Sequence, residues 1–253
     1  MSHLTTFVKE FPDGQQAIAL RTGVEVTPAA VAEALELPAA SSVLLLSGGA
    51  GGMSGEELDR LANLFAAIGE FLAQENVTVI DGGTQSGVMA LMGEALTKAG
   101  RIAPYIGLLP AYAQAGPGGL RGEDTLGPHH SHFVLIESDE WGSESKLMSD
   151  LATHLAAQAP SLVLLANGGE VALQDIEWNV RQGREIIVLA GSGRLADEIA
   201  AAVRQRERKT PFMRGKKNKR VAALARQGRM TLFDLSAPPA ELIKLLRRRL
   251  KGD

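Results

Sequence analysis

Four short stretches of this sequence join an apolar run to a helical pattern through glycine: Gly48-Gly49, Gly82-Gly83, Gly168-Gly169, and Gly191 with Gly193. Glycine lets the backbone turn with positive φ and lets a ligand come close to the main chain. The helix that follows offers unpaired N–H groups and a partial positive charge. Together these cradle phosphate. One such turn is weak evidence, because strand-to-helix turns use glycine for steric reasons alone. Four on one edge of a sheet point to a ligand site. None of them completes G-x-G-x-x-G with an acidic residue about 20 positions on, and none completes G-x-x-x-x-G-K-[ST]. A hydride-transfer enzyme and a P-loop ATPase are therefore disfavoured.

Other residue types carry chemistry of their own. In "PHHSHF", His130 and His132 project to one face of an extended segment. Two imidazoles and a carboxylate can hold zinc, but no third ligand stands at a telling spacing, so no metal site is expected. One imidazole is expected to order the loop or face a ligand. Glu144 and Lys146 open a helix, where an acid in the first turn favours the macrodipole. The functional alternative has Glu144 touch a ribose hydroxyl and Lys146 a phosphate. The chain has no cysteine, which excludes disulfides, thiolate metal sites and a cysteine nucleophile.

These residues need elements to position them. From Ser42 onward, apolar runs alternate with helical patterns: "SVLLLSGGA", "VTVIDGG", "APYIGLLP", "HFVLIES", "SLVLLANGG" and "EIIVLAGSG" each precede a helix or loop. Uninterrupted apolar runs are strands buried on both faces. Their alternation with helices implies right-handed crossovers and a parallel sheet. The expected fold is α/β, Rossmann-like and doubly wound, in a single domain over 1–253. Within it, 1–40 reads as an N-terminal strand and helix extension, with Thr27 as N-cap and Pro28 at the first helical position. Residues 42–203 form the core, 204–220 a basic loop, and 230–253 a last strand and helix. Ser54 and Glu57 suggest a capping box. Trp178 reads as core.

The bulk numbers narrow the class. Hydrophobic residues make up 45% of 253 and aromatics 4%, so the core is aliphatic. No basic-then-apolar leader is visible, and no apolar run has the length to span a bilayer. A cytoplasmic protein without membrane partners is the expectation. Net charge is −3, yet Arg204 to Arg220 holds nine basic residues and one acidic one. That segment reads first as a solvated loop, second as a lid that meets phosphate, and third as a nucleic-acid contact. The scarcity of aromatics for stacking unpaired bases argues against the third.

Five motifs in order, "SVLLLSGGA", "VIDGGTQSGVM", "PHHSHFVLIES", "LVLLANGG" and "IIVLAGSGRLAD", resemble the SLOG superfamily. The likeness is greatest to the branch shared by standalone prokaryotic proteins and the cytosolic N-terminal region of melastatin-type TRP channels. It covers about Ser42 to Ala201. The superfamily also includes phosphoribohydrolases that release cytokinins and a single-stranded-DNA-binding recombination mediator. The resemblance implies a nucleotide-derived ligand such as ADP-ribose, no certain cofactor beyond it, and a possible homodimer. Gly82, Gly83, Thr84, Gly87 and Val88 match the glycine loop. Gly191, Ser192, Gly193 and Arg194 match a second loop whose arginine is expected to meet phosphate. His130 and Ser131 match a third motif, while Gly48, Gly49, Gly168 and Gly169 complete the ligand-binding set.

The sequence departs from the hydrolase branch, which carries P-G-G-x-G-T-x-x-E. Here the stretch is "NGGEVALQDIE", with Asn167 for the proline and Val171-Ala172 for the Gly-Thr pair. Asp175 falls where the glutamate would be, and Glu177 lies nearby. Binding or sensing of a nucleotide is thus the leading expectation, with "GGTQSGVM" and "GSGR" as two halves of a phosphate clamp. The alternatives are an N-glycosidic hydrolase using Asp175 or Glu177, and a nucleic-acid-binding module.

Overall fold

The computed structural model describes residues 4–49, 55–115, 120–208 and 216–252. The chain opens with an antiparallel hairpin, β1 (Thr5–Glu10) and β2 (Gln16–Thr22). Helix α1 (Pro28–Ala34) follows, its N-cap Thr27 accepting a hydrogen bond from the Ala30 amide. Alternation then runs through β3 (Val43–Gly48), α2 (Gly55–Gln74), β4 (Thr78–Asp81), α3 (Gly87–Lys98) and β5 (Tyr105–Pro110). Between β5 and the next long strand lies a flap. It contains two-residue strands β6 (Gln114–Ala115) and β7 (Leu120–Arg121) and a 3-10 turn (Gly122–Asp124). The chain continues as β8 (His132–Ile136), α4 (Ser145–Ala156), β9 (Ser161–Ala166), α5 (Glu170–Arg181), β10 (Glu185–Ala190), α6 (Arg194–Arg208), α7 (Lys216–Gln227), β11 (Arg229–Asp234) and α8 (Pro239–Lys251).

Nine strands form one sheet in the order β1-β2-β8-β5-β4-β3-β9-β10-β11, with every pairing parallel except that of β1 with β2. The expected doubly wound α/β fold is the one observed. Strand faces alternate as the two-residue period requires. Val43 and Leu45 enter one core with α1, α4, α5, α6 and α7, while Leu44 and Leu46 enter the other with α2, α3 and α8. A third cluster, with Phe11, Leu109, Leu126 and Phe133, lies between the hairpin and the flap.

Three expectations change. The N-terminal segment is no appendage: β2 pairs in parallel with β8 from Ile18 to Thr22, so the hairpin completes the sheet. The basic segment 204–220 is not a loop in its described parts, because 204–208 end α6 and 216–220 begin α7. The reason is amphipathicity, since Val221, Leu224 and Ala225 bury one face of α7 against the core. Residues 209–215 lie outside the described residues, as do Ser54 and the side chain of Glu57, on which the expected capping box rests. Trp178 is half-buried rather than core, with Lys146 Nζ 5.6 Å and Arg181 4.4 Å from its ring.

Candidate functional site

From β3 the chain winds outward through β4, β5 and β8, then crosses back to β9 on the other side of β3. Open sheets bind ligands at such a reversal, beyond the carboxyl ends of the strands. A cavity of about 570 Å³ lies there, within the range of small-molecule sites. Its walls come from the ends of β3 (Ser47, Gly48), the turn into α3 (Gly82, Thr84, Ser86), the flap (Leu120, Asp124), the entry to α4 (Trp141, Glu144) and the start of α5 (Ala172, Asp175).

Crossing back at this point forces close backbone approach. A Cβ on Gly48 would lie 2.0 Å from the Ala166 carbonyl oxygen on β9. Gly83 has φ +70° and sits against Gly107 of β5, where a Cβ would come within 3.1 Å of the Gly107 Cα. Both glycines are required by geometry. Gly49 donates its amide to Ala166 at 3.2 Å. Ser86 is the N-cap of α3 in extended conformation, so the first-turn amides at Gly87, Val88 and Met89 have no intrahelical acceptor.

The turn is held from behind. Asp81 Oδ1 accepts the Gly83 amide at 2.7 Å and lies 2.8 Å from His130 Nε2, while Oδ2 accepts the Tyr105 hydroxyl. The imidazole stacks on Tyr105 with centroids 3.9 Å apart, and its Nδ1 is 3.1 Å from the Gly127 carbonyl. Burial, then the Asp81 charge, raise the Tyr105 pKa well above its ordinary value, so the phenol remains a donor. His130 and Ser131 precede β8 and therefore lie at the amino end of the sheet. Ser131 Oγ is engaged with the Tyr105 backbone on both its amide and carbonyl sides. Neither residue lines the cavity; His130 braces the glycine turn through Asp81, and Ser131 ties the start of β8 to β5. His132 Nδ1 is 2.8 Å from Ser131 Oγ, and burial together with Arg101 lowers its pKa to about 4.

The two acids of α5 separate. Successive helical residues turn by about 100°, so Asp175 and Glu177 point to nearly opposite sides. Asp175 faces the cavity, 6% exposed, and accepts from Ser47 Oγ at 2.7 Å and Ser145 Oγ at 2.5 Å. Glu177 faces α7, where Arg220 binds it at 2.7 Å and also pairs with Glu170. Glu177 is thus removed from the site, and Arg220 is a clasp between helices. In its place the structure supplies Glu144. This residue is 3% exposed, lines the cavity and accepts the Gly142 amide at 2.8 Å through Oε2. The sequence offered a weak signal, an acid at a helix start, with a ribose contact as the second reading. Lys146 points outward to Asp150 at 2.5 Å.

The second half of the expected clamp stands apart from the cavity wall. Asn167, at φ +57°, donates its amide to Ser192 Oγ at 2.7 Å and its side-chain amide to the Ser192 carbonyl at 2.9 Å. Gly168 and Gly191 have φ +99° and +92°. Ser192 is fully buried and structural, and the Gly191 and Gly193 amides both donate to Asp197. Arg194 is exposed, and its guanidinium lies over Gly169 at the N-terminus of α5, where a Cβ on Gly169 would meet Nη2 at 2.9 Å. None of these residues lines the cavity, although α5 connects the two places.

The family model described as "SLOG in TRPM, prokaryote" matches residues 41–244. The chain belongs to that family. The match embraces every strand from β3 to β11, so the SLOG unit includes the whole switch point and excludes only the hairpin, α1 and the last turns of α8. A solved structural-genomics target, TM1055, is similar at 17% identity and TM-score 0.51, covering 82% of this chain and 98% of its own. That likeness concerns the fold. For this SLOG protein, the family points to nucleotide-related binding or nucleoside processing. Among the described residues, no helix is long and apolar enough to cross a membrane.

The buried acids give this SLOG protein a pH signature. Burial, then the neighbouring Asp175, raise Glu144 from 4.5 to about 8, and burial raises Asp175 to about 6 despite the two serine hydroxyls. Folded-state values above the unfolded ones mean that the native state holds the extra proton. Stability therefore falls as pH rises through this window, unlike that of an ion-paired carboxylate. Between pH 6.5 and 8, one retained proton at roughly 1.4 kcal/mol per pH unit gives a loss of about 2 kcal/mol. Thermal melts of the ligand-free protein should show Tm lower by roughly 4–8 °C at pH 8. Glu144→Gln should flatten that dependence; an unchanged slope in the variant would assign it elsewhere.

Proposed function

We propose that this protein binds a nucleotide-derived ligand such as ADP-ribose in the switch-point cavity. The observation that carries this reading is one cavity joining two kinds of wall. On one side are the Gly82–Ser86 turn and the start of α3, which offer backbone donors to phosphate. On the other are the buried carboxylates of Asp175 and Glu144, which accept from ribose hydroxyls. Thr84 and the amides at Gly87 and Val88 serve one phosphate. Gly48 and Gly49 permit close approach. Arg194, beyond α5, serves a second phosphate at the mouth.

Calorimetry with ADP-ribose, NAD and AMP tests this. Asp175→Asn should weaken ADP-ribose binding by about tenfold, corresponding to loss of about 1.4 kcal/mol. Arg194→Ala should weaken ADP-ribose but not adenosine. Folded protein that binds none of these compounds would sink the reading.

One observation favours a second reading, hydrolysis of an N-glycosidic bond. Two buried carboxylates of raised and different pKa stand at one cavity wall, the pattern of an acid–base pair tuned by environment. In such a step the C1′–N bond breaks, its electron pair leaves with the base, and the protonated carboxyl of Glu144 gives its proton to the departing nitrogen. Water oxygen then bonds to C1′ and gives its proton to the ionised carboxylate, Asp175. Chromatography of the nucleotides after incubation separates the readings: a released base indicates catalysis, and intact ligand indicates binding alone.

A further inference from the structure

The charge of the cavity wall runs against a wholly anionic ligand. Three carboxylates line it, Asp124 from the flap, Glu144 at the start of α4 and Asp175 on α5, and among the described residues no lysine or arginine does. Glu144 is almost wholly buried and accepts the Gly142 amide through Oε2. The remaining lining is largely apolar and soft: Leu46, Met89, Met148 and the indole of Trp141, whose Nε1 is occupied by the Gln114 carbonyl at 2.8 Å. Among the described residues, no three histidines or acids gather closely enough to hold a metal ion. The acids are therefore spread around the space rather than focused on a point.

Dispersed carboxylates, an aromatic face and thioethers together suit a flat, delocalised organic cation. Such a cation gains Coulomb attraction in a low-dielectric cavity, quadrupole attraction from an indole and contact with polarizable sulfur. We propose that the inner part of this cavity receives an N-ribosylated aromatic cation of the pyridinium class, with Glu144 and Asp175 as its counter-charge and Trp141, Met89 and Met148 as its apolar seat. This rests on the nucleotide reading of the cavity and adds which end of the ligand goes inward. The anionic tail runs out past the Gly82–Ser86 turn. The charged group that acts on Glu144 is Asp175 from α5, of the same sign, and Asp124 adds a third acid to the cavity wall.

Oxidised and reduced nicotinamide dinucleotides test this directly, since they share adenine, riboses and phosphates and differ in the charge of one ring. Calorimetry at pH 8 should give NAD at least tenfold tighter than NADH and tighter than ADP-ribose. Glu144→Gln should reduce the NAD/NADH ratio to threefold or less. Should that variant fail to fold, the ratio in the unaltered protein is measured at pH 6 and pH 8. It should rise with pH as carboxylate charge accumulates, and a constant ratio overturns the proposal. Equal affinity for NAD and NADH, or a preference for NADH or ADP-ribose, also overturns it while leaving the nucleotide reading intact. Binding of none of the three removes the nucleotide reading itself.

Discussion

Gly48→Ala should destabilise the protein by at least about 4 kcal/mol and abolish ligand binding. Gly48 closes β3 opposite Ala166 of β9. A methyl group there would lie 2.0 Å from the Ala166 carbonyl oxygen, 3.1 Å from its carbon and 3.1 Å from Val88 Cγ2. Two of these three atoms are backbone, so no rotamer change relieves the overlap. The two central strands of the sheet must separate, and the amide of Gly49 loses its place at the Ala166 oxygen. Overpacking in a close-packed interior commonly costs 1–3 kcal/mol; a backbone clash between central strands stands above that range. Urea unfolding measures the loss. Gly14→Ala supplies the contrast, because φ +84° strains it while nothing lies within 4 Å, so it should cost only about 1 kcal/mol. Comparable losses in the two variants would contradict the steric account.

Asp81→Ala is the second large effect, about 3 kcal/mol in urea unfolding together with loss of nucleotide binding. The carboxylate is fully buried and is the acceptor shared by the Gly83 amide and the Tyr105 hydroxyl, with His130 beside it. Removing it strands two buried donors, each costing about 1–3 kcal/mol, partly offset where the groups find other partners. The Gly83 turn then loses the contact that sets its position against the ligand, although Asp81 itself does not line the cavity. Asp81→Asn retains an acceptor oxygen and should lose about half as much. If Asp81→Ala binds nucleotide with unaltered affinity, the turn is not positioned from behind.

The architecture was largely legible in the residues. Apolar runs such as "LVLLA" ahead of Asn167, alternating with amphipathic helices, leave little choice but a parallel sheet covered on both faces. The glycine-rich ends were legible for the same local reason, and Gly48 and Gly82 do reach the cavity. Charge patterning misled at 204–220. Counting lysines and arginines registers one face of a helix and ignores the apolar stripe that docks α7.

What chain-local chemistry determined here is the set of elements, their alternation and the positions where backbone must turn tightly, because each depends on neighbours in sequence. Which side chains share a space depends on contacts from residues about 30 or 130 positions away, and only the folded sheet decides that. Asp175 meets Ser145 and Ser47 across those separations. Its neighbour Glu177, two residues on, is turned to Arg220 by the helix itself. Glu144 looked like an ordinary first-turn acid until the crossover from β8 to β9 buried it beside Asp175. His130 looked like a ligand contact until the sheet placed it behind the turn. Burial and long-range pairing set the charge state of these groups, and neither is written in any single stretch of sequence.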